Sequence, residues 1–341
     1  MLNQVYRLVS ERHFESFVVS ESINSKSIVV RPTYLSICHA DHRYYGFERK
    51  AEIINKKLPM ALIHEGIGEV VFSNDDGYKV GDKVALVPNL PSERNSYIGE
   101  NYLESSKFRS SSYDGLTQEY IFTDASRVVK IPEGFPSTTA AYIEMMSVSY
   151  QALMRLDKKA NANRDAIGVW GDGNLGYMVS ALLKKKFPNT KLYVFGHHKD
   201  KLDYFSFADK TYLTDEIPND LKINHAIEAA GGLGSENAID QIIDCICPEG
   251  TCVLMGVSEN KISFNTRMVL QKGLTFVGSS RSSAEDFQSV VDLLNEDNDL
   301  LNQMGILFDA TFDIRSTKDL ANAFEYDQNH TLGKTILHWE M

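Results

Sequence analysis

The sequence predicts an α/β protein in two parts, a strand-rich first half and a doubly wound parallel sheet in the second. Three observations carry this. At 341 residues the chain is too long for one ordinary hydrophobic core. Its first half holds short β-branched runs broken by Gly, Asp and Pro. From Ala166 onward, short apolar runs alternate with helix-length segments, the rhythm of βα units winding into a parallel sheet.

Taken in order, Ser27 to Thr33 alternates as a strand does, and Gly66 to Phe72 and Lys83 to Val87 read as further strands. The polar, Ser- and Tyr-rich stretch from Pro88 to Asp114 predicts an irregular lobe. Ala166 to Trp170 is a strand followed by a helix over Asn174 to Phe187. Five more apolar runs follow, at Leu192 to Phe195, Thr211 to Leu213, Ala226 to Ala229, Cys252 to Met255 and Leu274 to Val277. Six such strands make a doubly wound sheet. After Gly278 the rhythm ends, Ala284 to Leu294 has the pattern of an amphipathic helix, and Lys334 to Trp339 is a last strand. The expected organisation is therefore residues 1–150, then 151–283, with 284–341 returning to the first part.

Composition narrows the function classes. With 43% hydrophobic and 24% charged residues and only 9 prolines, the chain has the make-up of a soluble globular protein. A formal charge of -11 argues against a general nucleic-acid or anionic-membrane surface, although a local basic pocket can still hold a phosphate ester. Arg7, Glu11 and Arg12 interrupt the first residues, so no secretory core is expected there, and no run approaches the roughly 20 apolar residues of a spanning helix. A cytoplasmic protein is expected. Four cysteines, at Cys38, Cys245, Cys247 and Cys252, are too few and too uneven for a disulfide framework. Reduced thiols fit better, with one a candidate metal ligand.

Gly171-Asp172-Gly173-Asn174-Leu175-Gly176 is a GxGxxG set directly between a predicted strand and a predicted helix. In a Rossmann unit Gly171 permits the tight turn, Gly173 lets the backbone approach a pyrophosphate, and Gly176 lets helix and strand pack closely. The helix start at Asn174 and Leu175 then faces the phosphates. An NAD site places a carboxylate about 20 residues on, at the end of the second strand, to accept from the ribose hydroxyls. Here that strand ends in Gly196, with no carboxylate in sequence there, and His197, His198, Lys199 and Lys201 follow as candidate donors to a 2'-phosphate. NADPH is expected over NADH.

The first half also holds Cys38-His39-Ala40-Asp41-His42-Arg43 and Ile63-His64-Glu65-Gly66, and Glu144 closes Ala140-Ala141-Tyr142-Ile143-Glu144. Together with the Rossmann unit, these motifs resemble the zinc-containing medium-chain dehydrogenase/reductase family over essentially the whole chain. The resemblance implies a GroES-like catalytic domain before the coenzyme domain. It implies Cys38 and His64 as zinc ligands, Glu144 as a carboxylate ligand or one acting through water, and Glu65 as an adjacent ligand or a carboxylate behind the metal. Sulfur, nitrogen and oxygen donors in a three-residue set suit a catalytic zinc with one open position. It also implies Lys334 at the coenzyme.

Two departures matter. The lobe lacks the four cysteines that hold a structural zinc in many relatives, so one zinc per chain is expected. Ala40 stands where many relatives carry a proton-relaying Ser or Thr, which leaves Glu65 as the expected proton donor and His42 and Arg43 as candidates to orient the substrate or bind its phosphate. Arg281 is a further candidate for the phosphate. Within the family, the Cys38 to Arg43 run, Ile63-His64-Glu65, Trp170-Gly171-Asp172-Gly173 and the cysteine-free lobe are most similar to the branch that reduces ribulose 5-phosphate for CDP-ribitol and wall teichoic acid. That resemblance implies a sugar phosphate substrate, a homodimer joined at the sheet edge near Leu274 to Val277, and a complex with the ribitol-5-phosphate cytidylyltransferase that consumes the product.

Overall fold

The long strand Ser27–Ser36 organises the first unit. It is β-branched at Ile28, Val29 and Val30, all buried, and it pairs antiparallel with Glu65–Ser73 on one side and Lys334–Trp339 on the other. Lys83–Leu86 and Val128–Lys130 extend this sheet past Glu65–Ser73, Phe308–Ile314 extends it past Lys334–Trp339, and Ile121–Asp124 also pairs with Ser27–Ser36. A second, three-stranded sheet is formed by His13–Ser20, Leu2–Ser10 and Met60–Ala61. Leu8, Leu35, Ile37, Tyr44, Leu62, Leu116 and Phe324 lie in one core cluster between these elements. In the polar stretch after Val87 the ordered pieces are the paired strands Asn89–Leu90 and Lys107–Phe108 and a short 3-10 turn, Glu100–Tyr102.

The second unit is a six-stranded parallel sheet. Its strands lie in the order Lys210–Leu213, Lys191–Gly196, Ala166–Trp170, His225–Glu228, Thr251–Leu254 and Thr275–Gly278. That is the 3-2-1-4-5-6 order of a Rossmann fold. Trp170 and Phe195 stack with ring centroids 3.8 Å apart, and Phe195 stacks on Tyr212 at 5.4 Å, so the aromatic residues lock the first three strands in sequence order. The helix Asn174–Lys186 follows the first strand and buries eight consecutive residues, Gly176 to Leu183.

This computed structural model describes residues 1–24, 27–330 and 332–341. The chain divides into one unit of Met1–Ser147 with Ser282–Met341 and another of Val148–Arg281. No helix among the described residues is long and apolar enough to cross a membrane.

Candidate active site

Sheet register assembles a cluster of donor atoms in the first unit. Ser36 pairs with Glu65 across one ladder and with Ile336 across the other, so the chain leaving the sheet at Ile37 and Cys38 passes the start of both neighbouring strands. The Ile37 amide donates to Thr335 O at 3.1 Å, and Lys334 Nζ donates to Ile37 O at 2.7 Å. Cys38 then begins the helix His39–Tyr45. Cys38, His64 and Glu65 each turn one donor atom to a common point, the three atoms lying within 4.8 Å of one another.

Asp41 holds this cluster from behind. It is 1% exposed, accepts Ser110 Oγ at 2.6 Å and the Ile63 amide at 3.1 Å, and lies 3.5 Å from His64 Nδ1. Its other oxygen takes the Cys38 amide at 3.3 Å. One carboxylate thus ties together the backbone of the Cys38 and Ile63–His64 segments and leaves His64 Nε2 for the cluster, the arrangement by which a carboxylate orients a metal-binding histidine. Burial alone would push the Asp41 carboxyl up, but His64 and the Ser110 and Ile63 hydrogen bonds outweigh it and hold it below its usual range. Ile63 itself carries φ 69°, the left-handed region that a β-branched residue resists at a cost of about 1–3 kcal/mol. The Asp41 bond to its amide and the Leu116 amide on its carbonyl, at 2.7 Å, keep it there. Neither Asp41 nor Ser110 was singled out by sequence pattern, although Asp41 sits inside the motif.

The donor set fits a divalent cation. Glu65 is fully buried, and its Oε1 has no hydrogen-bond partner among the described residues. Its Oε2 lies 2.8 Å from Lys334 Nζ, an ion-pair contact without the aim of a hydrogen bond. Burial and the Glu65 charge push the Cys38 thiol up, and burial pushes the Glu144 carboxyl up to about 7. A divalent cation held among these groups would favour the thiolate and the carboxylate. Glu144 stands in the first turn of the helix Ile143–Lys159, buried and within the field of His64 and Glu65, yet outside the tight trio. The carboxylate drawn into that trio is Glu65.

Lys334, which the resemblance implies at the coenzyme, belongs to the first unit. It is 1% exposed in the first unit, with its ammonium committed to Glu65 and Ile37 O, because it opens the strand that pairs with Ser27–Ser36. His42 is likewise buried, with Nε2 2.5 Å from Asp327 Oδ2 on the helix Thr317–Gln328, while Arg43 is half-buried on the same helix as His42. Asp327 was invisible as a partner in the sequence.

In the second unit the glycines divide their labour as the motif requires. Gly171 has φ +140°, and a Cβ there would stand 2.7 Å from Ala229 O; one on Gly176 would stand 2.0 Å from Gly171 O. Gly173 has nothing within 4 Å of its Cβ position, which leaves its backbone open to a phosphate at the start of a 13-residue helix. At the end of the second strand the expectation of no carboxylate is corrected. Asp172 reaches across from the glycine loop, and its Oδ2 accepts the His197 and His198 amides at 2.8 and 2.9 Å. Lys199 is exposed nearby and Lys201 is buried.

The alcohol dehydrogenase GroES-like domain family matches residues 24–133, and the zinc-binding dehydrogenase family matches residues 203–296. The ribulose-5-phosphate reductase of Bacillus spizizenii is 48% identical over 341 residues, covering 100% of both chains. The chain belongs to the ribulose-5-phosphate reductases, a branch of the zinc-binding dehydrogenases. Ribulose-5-phosphate reductase 1 of Staphylococcus aureus is 46% identical, again over 100% of both chains. The crystal structure of S. aureus TarJ in complex with NADPH superposes with a TM-score of 0.89 at 42% identity, covering 100% of each chain.

For a ribulose-5-phosphate reductase family member, the geometry at Gly196 carries a prediction. A Cβ on Gly196 would lie 2.5 Å from Asp172 Cβ. Gly196→Asp should therefore displace Asp172 and add a carboxylate to the turn, weakening NADPH without the gain in NADH affinity that a ribose-reading carboxylate would bring. Titration of both coenzymes checks this, and a clean switch to NADH would contradict it.

Proposed function

We propose that this chain reduces D-ribulose 5-phosphate with NADPH to D-ribitol 5-phosphate, in the supply of CDP-ribitol for wall teichoic acid. The observation that supports it most is full-length identity of 46–48% to ribulose-5-phosphate reductases, joined to a buried sulfur, nitrogen and oxygen trio in the first unit. Cys38, His64 and Glu65 would hold one zinc ion, with Glu144 as a further carboxylate within reach of its field. When bound, zinc supplies Lewis acidity to the C2 carbonyl and NADPH supplies the hydride. Asp41 fixes the orientation of His64. Since Ala40 has no hydroxyl, our candidate for passing on the proton that completes the alcohol is Glu65, whose Oε1, unbonded to protein, would have to leave the metal to do so. The helix start at Gly173 and Asn174 would take the coenzyme pyrophosphate, and His197, His198 and Lys199 its 2'-phosphate.

The substrate's phosphate asks for a local cation in an acidic protein, and Arg43, on the helix that Cys38 begins, is our candidate. Arg43→Ala should lower kcat/KM for ribulose 5-phosphate by about tenfold or more, the worth of a charge-assisted contact, and leave the weak use of ribulose unchanged. An NADPH-oxidation assay with ribulose 5-phosphate, ribulose and xylulose 5-phosphate tests both the activity and this residue. Equal use of ribulose would sink the phosphate reading.

A homodimer through the edge strand Thr275–Gly278 is part of this reading, supported by its position at the end of the parallel sheet and by exposed Leu270 and Phe264 in the segment before it. So are a cytoplasmic location and a complex with the cytidylyltransferase that consumes ribitol 5-phosphate.

A further inference from the structure

The coenzyme reading makes the turn after the strand Lys191–Gly196 responsible for the 2'-phosphate, and this turn is held by one side chain from another strand's end. Asp172 Oδ2 accepts three N–H groups: His197 N at 2.8 Å, His198 N at 2.9 Å and His198 Nδ1 at 3.0 Å. Its carboxyl is held below the usual range: burial acts to raise it, and the His198 and His197 hydrogen bonds with the nearby Lys201 overcome that. The side chain fills the space over Gly196, where any Cβ would collide with it. The two backbone amides that a bare turn would offer to a ligand anion are thus already spent on the protein's own carboxylate.

What remains for a ligand is side-chain chemistry. His198 Nδ1–H donates to Asp172, so its Nε2 donates to a phosphate only when the ring carries both protons as the imidazolium; His197 Nδ1 is engaged by Thr214 Oγ1 at 2.9 Å and accepts from that hydroxyl when its Nε2 carries the proton. Both rings are exposed, with centroids 6.4 Å apart, close enough for one phosphate group to take a hydrogen bond of about 2.8 Å from each. Lys199 is exposed beside them. We propose that Asp172 is a positioning residue for coenzyme choice, which fixes the His197–His198 turn so that both imidazoles are preorganised for the 2'-phosphate of NADPH. The proposal rests on the NADPH reading above and adds to it a residue that never touches the phosphate. Its carboxylate, neutralised by three donors, repels that phosphate less than a bare one would.

Dissociation constants for NADPH and NADH, measured by fluorescence titration of the full-length zinc-loaded protein, test this. The unmodified protein should prefer NADPH; a preference for NADH would end the coenzyme reading itself. Asp172→Ala should cut the NADPH-to-NADH preference by about tenfold through NADPH alone, the scale of one charge-assisted contact. Asp172→Asn keeps an oxygen for both amides and should hold the preference within about threefold, while His198→Ala should lose it as Asp172→Ala does. If Asp172→Ala weakens both coenzymes equally, the residue is merely structural. Selective loss of NADH would make Asp172 a ribose reader instead, and either result overturns the proposal. Should Asp172→Ala not fold, the contrast between Asp172→Asn and His198→Ala decides: a lost preference in the first or a kept one in the second refutes it.

Discussion

Cys38→Ser and His64→Ala proteins should lose zinc and reductase activity together while keeping NADPH binding. The two side chains converge with Glu65, their donor atoms within 4.8 Å of one another, and all three residues belong to the first unit, whereas the glycine loop is built in the second. Lewis-acid activation is worth several kcal/mol, so removal of a ligand should cost about three orders of magnitude or more in turnover. Elemental analysis, NADPH oxidation and coenzyme titration on the same preparations separate the effects. A chelator should reproduce the loss in the unmodified protein, and added Zn²⁺ should restore it. A Cys38→Ser protein that is active without stoichiometric zinc would rule out the metal mechanism. Asp41→Ala should fall between these and the unmodified protein, since a residue behind a ligand typically alters metal affinity or activity by about 10–100-fold.

How much of this was legible in the sequence depended on how local each requirement is. The glycine loop was readable because each glycine answers a demand set within a few residues, the turn at Gly171 and the close packing at Gly176. The six parallel strands were readable because each is a short apolar run between helix-length segments. Cys38 and His64 were readable through motifs, yet the residues that aim them were not. Asp41 acts through Ser110 and Ile63, and His42 meets Asp327 across 285 residues of sequence. Pairings of that kind are set by strand register and helix packing, which no spacing rule encodes. Asp172 shows the same limit from the other side. Reading along the second strand alone found no carboxylate at its end, because the carboxylate arrives from the loop after the first strand. Ile63 was equally opaque, since its left-handed backbone is imposed by Asp41 and Leu116 rather than by its own preference.

Lys334 offers the largest stability effect. Its side chain and that of Glu65 are both essentially inaccessible, so each charge depends on the other and on the few groups around it. Burial acts to lower the Lys334 ammonium's pKa, but Glu65 and Cys38 outweigh it and raise it, which keeps the lysine charged. Lys334→Met fills similar volume and removes that charge, leaving a buried carboxylate unpaired at a cost of about 3–5 kcal/mol. In a chain of this size that is a fall of roughly 10 °C in the melting temperature of the unit concerned. Two further measurements give the cause. Glu65→Gln combined with Lys334→Met removes both charges and should recover much of the loss, since a neutral pair needs no counter-charge. Saturating Zn²⁺ should also narrow the deficit of Lys334→Met, because a cation held by Cys38, His64 and Glu65 supplies the missing positive charge and binds only the native state. If the double variant melts no higher than Lys334→Met, the lysine acts through packing of its stem and its bond to Ile37 O, and the charge balance around Glu65 rests on other groups.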